Sequence, residues 1–89
     1  MPHPGFDLTG QRALVTGSTR GIGLAIARAL GLAGAEVAIN ARSAEAAAAT
    51  AGALAREGIA TLPAPFDVTD TEAARAVIAG LGPIDILVN

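Results

Sequence analysis

The chain has 89 residues, 52% of them hydrophobic and 2% aromatic, a formal net charge of −2 and no cysteine. Such a length makes one small domain with an aliphatic, Ala-rich core that covers about 60–65% of the unfolded chain's surface. No basic block offers an electrostatic footprint for nucleic acid, and without cysteine there is neither a disulfide nor a thiolate metal site.

Met1-Pro2-His3-Pro4-Gly5 has no basic region followed by an apolar core, so no signal peptide is read there. Residues 1–5 are expected to be a disordered tail, and His3 is given no role. The longest uncharged stretch, 46–55, falls far short of the roughly 20 residues that span a bilayer. A cytoplasmic protein without a membrane partner is expected.

Residues 13–16 form a short apolar run, the first strand, and Thr16-Gly17-Ser18-Thr19-Arg20-Gly21-Ile22-Gly23 follows it directly. Residues 21–33 then place Ile22, Ile26, Leu30 and Ala33 on one helical face, with Arg28 opposite and Gly34 as a C-cap glycine. Residues 36–40 read as a buried strand. Ser43 is a good N-cap for an Ala-rich helix ending near Gly58, with Glu45 in its first turn. Residues 61–66 contain Pro63 and Pro65, which suit an edge strand. Thr69 and Glu72 have capping-box spacing, and Ala74, Val77, Ile78 and Leu81 form the apolar face of the helix behind them. Gly82-Pro83 ends that helix, and 84–88 is the last strand.

The order βαβαβαβ predicts an α/β fold: a partial Rossmann fold with a parallel sheet of about four strands, in the order 3-2-1-4, flanked by helices. Near-continuous apolar strands fit a sheet covered on both faces. This order puts the proline-bearing strand on one edge and the apolar 84–88 strand on the other. An apolar edge facing water is a liability, so 6–89 reads as the incomplete N-terminal part of a larger domain.

A strand feeding a glycine-rich turn that opens a helix makes a phosphate cradle from backbone N–H groups and the helix dipole. Gly17 permits a tight turn, Gly21 a close backbone approach, and Gly23 lets the helix sit against the strand. Ser18, Thr19, Arg20 and Ile22 complete the candidate loop. The bland alternative is a turn that binds nothing. The second strand ends in Asn40-Ala41-Arg42, with Ala41 where a site for an unphosphorylated ribose would carry an acid. A guanidinium at Arg42, with Arg20 in the turn, suits an added phosphate and favours NADP(H) over NAD(H). Arg12, Arg28, Arg56 and Arg75 read as solvated. Asp67 and Val68 follow the third strand, where they would meet an adenine. Asn89 ends the fourth strand beside the same crevice.

TGSTRGIG at 16–23, Phe66-Asp67-Val68-Thr69-Asp70, and Ile84-Asp85-Ile86-Leu87-Val88-Asn89 together resemble the N-terminal third of a short-chain dehydrogenase/reductase. The phrases Phe6-Asp7-Leu8-Thr9-Gly10 and Gly82-Pro83-Ile84-Asp85 are most similar to those of gluconate 5-dehydrogenases, followed by 3-oxoacyl-carrier-protein reductases. The resemblance implies that the glycine turn holds a pyrophosphate. It also implies a whole protein that moves hydride between nicotinamide and a small-molecule carbonyl or alcohol, as a homo-oligomer. Within the Asn-Asn-Ala-Gly segment of that family, the first Asn alone is present here, as Asn89. The family's chemistry uses a Ser, a Tyr and a Lys. All six basic residues of this chain are arginines and it has no Tyr, so no catalytic residue is assigned and the chain by itself is expected to be inactive. The alternative is a non-catalytic dinucleotide-binding module or an inactive truncated product.

Overall fold

The structure is a computed structural model that describes residues 7–89. The tail expected at 1–5, with His3, lies outside the described residues, as does Phe6 at the expected start of the domain. Four strands and three helices alternate: β1 (Arg12–Val15), α1 (Gly21–Leu32), β2 (Glu36–Ala41), α2 (Ala44–Ala55), β3 (Thr61–Pro65), α3 (Thr71–Leu81) and β4 (Ile86–Val88). All pairings are parallel and the sheet order is β3-β2-β1-β4, as the sequence predicts.

Alternation along the strands sorts the core into two layers. Val15, Val37 and Ile39 face α1 and α2, where Ala27, Ala51 and Leu54 are buried against them. Leu14, Ala38, Ala64 and Phe66 face α3, which supplies Ala74, Val77, Ile78 and Leu81. β3 tolerates its prolines because of parity. Phe66 N–H donates to the Ala41 carbonyl at 3.0 Å, so the even-numbered residues of β3 bond β2. Pro63 and Pro65 aim their nitrogens at the open edge, where no donor is needed.

Chain reversals follow from glycine. The Gly34 N–H donates to Gly31 O and the Ala35 N–H to Leu30 O, with Gly34 at φ 107°. These two bonds satisfy the last carbonyls of α1 and turn the chain into β2. Ser43 caps α2 as expected, its Oγ accepting from Ala46 N–H at 3.0 Å.

Three expectations need correction. The N-cap of α3 is Asp70, whose Oδ1 accepts from Ala73 N–H at 3.1 Å, and not Thr69. Thr69 is taken by Asp67 Oδ1, which accepts from its N–H at 2.9 Å and its hydroxyl at 2.7 Å. β4 starts at Ile86, two residues late, because Asp85 clamps the start of β1: its Oδ2 accepts from Arg12 N–H at 2.8 Å and its own N–H donates to Arg12 O at 2.9 Å. Arg12 and Arg28 are not free solvated residues. Arg12 pairs with Glu36 at 2.6 Å and donates to the Leu81 carbonyl, tying β1, β2 and the end of α3 together. Arg28 meets Glu57 through two nitrogens, at 3.0 and 3.2 Å. Among the described residues, no helix is long and apolar enough to cross a membrane.

Candidate dinucleotide site

The carboxyl ends of the strands open into a cleft of about 600 Å³. Its floor is the turn between β1 and α1. Gly17 (φ 60°) and Gly21 (φ 62°) both occupy the left-handed region, where side chains with a Cβ are strained. Gly21 therefore serves backbone conformation, and a Cβ on it would point into open space rather than against the protein. Gly23 has the opposite reason. A Cβ there would overlap the Gly17 carbonyl oxygen, so the first turn of α1 sits directly on the loop.

The N-terminus of α1 differs from the other two. Ser43 and Asp70 cap α2 and α3 with side-chain oxygens. Arg20, at the N-cap of α1, makes no side-chain cap bond, and the first turn carries no acid. The first intrahelical bond there runs from Leu24 N–H to Arg20 O. Helix geometry leaves the N–H groups of Gly21, Ile22 and Gly23 without intrahelical acceptors. The positive end of the helix dipole is likewise uncompensated by the protein. Ile22 is 80% exposed at this end.

Beneath the turn lies a buried polar knot. Ser18 is fully buried; its Oγ accepts from Asn40 N–H at 2.8 Å, and its N–H donates to Asn40 O at 3.0 Å. The Asn40 carboxamide accepts from Gly17 N–H at 3.0 Å and donates to the carbonyls of Ala64 (3.0 Å) and Phe66 (3.1 Å). No buried side-chain nitrogen or oxygen lacks a partner among the described residues. Both amide protons of Asn40 are thus spent inside the protein.

The cleft gathers seven of the residues singled out by sequence: Gly17, Thr19, Arg20, Asn40, Ala41, Arg42 and Val68. Ser18, Gly21, Ile22, Gly23, Asp67 and Asn89 do not line it. Asp67 stands at its rim, 3.8 Å from Arg42 Nε. The N–H and hydroxyl of Thr69 hold the Asp67 carboxyl below the ordinary carboxylate range, with Arg42 adding to them. Asn89 accepts from the hydroxyl of Thr16, a cleft-lining residue, at 3.3 Å. Thr16, Ser43, Ala46 and Phe66 line the cleft without having been singled out as site residues. For Ser43 the signal was its place next to Arg42, hidden behind its role as a cap.

The family model of the short chain dehydrogenases matches residues 11–89. The chain belongs to the short-chain dehydrogenase family. Gluconate 5-dehydrogenase of Gluconobacter oxydans (strain 621H) is 47% identical over 94 residues, covering 100% of this chain and 37% of the relative. The rhamnolipids biosynthesis 3-oxoacyl-[acyl-carrier-protein] reductase of Pseudomonas aeruginosa is also 47% identical, over 98% of this chain and 35% of its own length. Among solved structures, a gluconate 5-dehydrogenase from Burkholderia cenocepacia J2315 in complex with NADP and tartrate superposes with a TM-score of 0.86. It is 50% identical over 92% of this chain and 34% of its own. The chain therefore spans about a third of the length of these relatives.

Proposed function

We propose that this chain is the NADP(H)-binding N-terminal part of a short-chain dehydrogenase/reductase of the gluconate 5-dehydrogenase type. The observation that carries the reading is the uncapped N-terminus of α1, facing a glycine turn, in a molecule whose other two helices are capped. Unengaged N–H groups and an uncompensated dipole fit an anionic pyrophosphate. Arg42, at the mouth of the cleft with 82% of its side chain in solvent, fits a 2′-phosphate, and no acid stands at Ala41 to repel one. Asp67 and Val68 would flank the adenine. The cleft's size and its mixed polar and apolar lining suit the adenosine half of such a ligand.

When bound, a nicotinamide dinucleotide supplies hydride to, or accepts it from, a carbonyl or alcohol carbon. The residues of this chain would hold and orient the ligand: the free N–H groups of Gly21, Ile22 and Gly23 its pyrophosphate, and Arg20 and Arg42 its added phosphate, with Asn89 behind Thr16 beside the cleft. A chain without Tyr or Lys brings no proton-transfer pair of the family's kind. Binding without turnover is the reading for the chain alone, and turnover, as a cytoplasmic homo-oligomer, that for the whole protein. Calorimetric titration tests this. NADP⁺ binding at least about tenfold tighter than NAD⁺ is expected, a gap of about 1.4 kcal/mol. Binding of neither nucleotide overturns the assignment, and equal binding overturns the cofactor preference.

A further inference from the structure

We propose that Asn40 is a positioning residue that sets the dinucleotide turn and the adenine wall as one unit. The proposal rests on reading the cleft as a dinucleotide site. Asn40 is 2% exposed and sits two residues before the exposed Arg42. Its Oδ1 accepts from Gly17 N–H, which turns that N–H into the protein at the first left-handed residue of the turn. Its Nδ2 donates to Ala64 O in β3 and to Phe66 O one residue past its end. Val68 lies two residues further on. Gly17 in turn presents its carbonyl to Gly23 with no room for a Cβ. One carboxamide thus links the end of β3, the floor of the cleft and the first turn of α1.

The chemistry requires an amide. Two carbonyls demand two donors and one N–H demands an acceptor, all on one planar group. An apolar residue would remove a hydrogen-bond partner from the Gly17 N–H and from the carbonyls of Ala64 and Phe66. A carboxylate would face two carbonyl oxygens without a proton to give, and their repulsion would drive it out of the knot and away from the Gly17 N–H as well. The groups that face Asn40, from the turn (Gly17, Ser18) and from β3 (Ala64, Phe66), are uncharged. Of the ionisable groups around the cleft, Arg42 and Asp67 are engaged with each other at the rim, and Arg20 lines the same cleft.

These demands define a pH test in the full chain with Asn40→Asp, NADP⁺ as the probe and the unsubstituted chain as reference at each pH. Burial opposite two carbonyls raises the introduced carboxyl's pKa, so it is protonated in acid and donates one of the two lost hydrogen bonds. At about pH 5 its affinity should lie within about threefold of the reference, and at about pH 8 it should be at least about tenfold weaker. Without ligand, hydrogen exchange at the Gly17 amide should accelerate along the same profile. A merely structural asparagine would lower stability without that coupled profile. Reference-like affinity at both pH values with a protected Gly17 amide overturns the proposal. If the unsubstituted chain binds no NADP⁺, the cofactor reading fails, and Gly17 exchange alone judges the positioning role. If Asn40→Asp does not fold, Ser18→Ala takes its place, since it keeps the carboxamide and removes the hydroxyl that anchors its backbone. Faster Gly17 exchange and NADP⁺ binding about fivefold weaker are then expected; unchanged values overturn the proposal.

Discussion

Arg42 reaches Asp67 at 3.8 Å, an exposed ion pair of the kind that contributes about 0–1 kcal/mol. So little holds the guanidinium that a doubly charged phosphate can take it over. Arg42→Ala is expected to weaken NADP⁺ binding at least about tenfold, the scale of a charge-assisted bond. NAD⁺, which lacks the added phosphate, should change less than about twofold, and parallel titrations check the contrast. Asp67 brings a pH dependence of its own. Its carboxyl is held below the ordinary range, first by the Thr69 N–H and then by the Thr69 hydroxyl. A depressed folded-state pKa stabilises the fold above the unfolded value, and that contribution is lost as pH falls through the folded value. The Thr69 amide resonance should therefore titrate with a midpoint below the ordinary aspartate value, and Asp67→Asn should abolish that step. A midpoint at or above the ordinary value would refute the Asp67–Thr69 bonds as drawn.

At the scale of elements, the three helix starts show how one physical need is met in two ways. α2 and α3 satisfy their first N–H groups with Ser43 and Asp70. Ser43→Ala should therefore cost about 1 kcal/mol in chemical denaturation. α1 has no such cap, and its first turn touches the loop through Gly23. Gly23→Ala drives a methyl into the Gly17 carbonyl, so α1 must shift away from the turn. Loss of dinucleotide binding with a smaller loss of stability is expected, read by titration beside thermal melting. Much of this was legible in sequence because it is local: strand, glycines and helix within 16–23, and two prolines of one parity that consign β3 to an edge. The linking role of Asn40 was not legible, because its hydrogen-bond partners lie 22 to 26 residues away in the chain, beyond any local pattern. Arg12 looked solvated for the same reason, since Leu81 and Asp85 reach it only after the last crossover. The cap of α3 was misplaced by one residue because two adjacent good caps, Thr69 and Asp70, compete, and Asp67 decides between them.

At the scale of the whole molecule, the two edges of the sheet are unequal. β3 turns two proline nitrogens outward, which leaves few donors for another strand. β4 has no such protection. Leu87 pairs in register with Leu14, yet Leu87 is 60% exposed where Leu14 is 1% exposed. An apolar edge with free backbone groups is a template for pairing with another strand. The relatives run to nearly three times this length, so in a longer protein such an edge has further chain to pair with. In the 89-residue chain a second copy is the available partner. Sedimentation velocity over a tenfold range of concentration should show self-association. Leu87→Lys puts a charge on that edge and should shift the distribution toward monomer. Because Leu87 is mostly exposed, the substitution should cost no more than about 0.5 kcal/mol of stability. A monodisperse monomer of the unsubstituted chain would show that the β4 edge is not sticky. Equal association of the Leu87→Lys chain would move the contact to another surface.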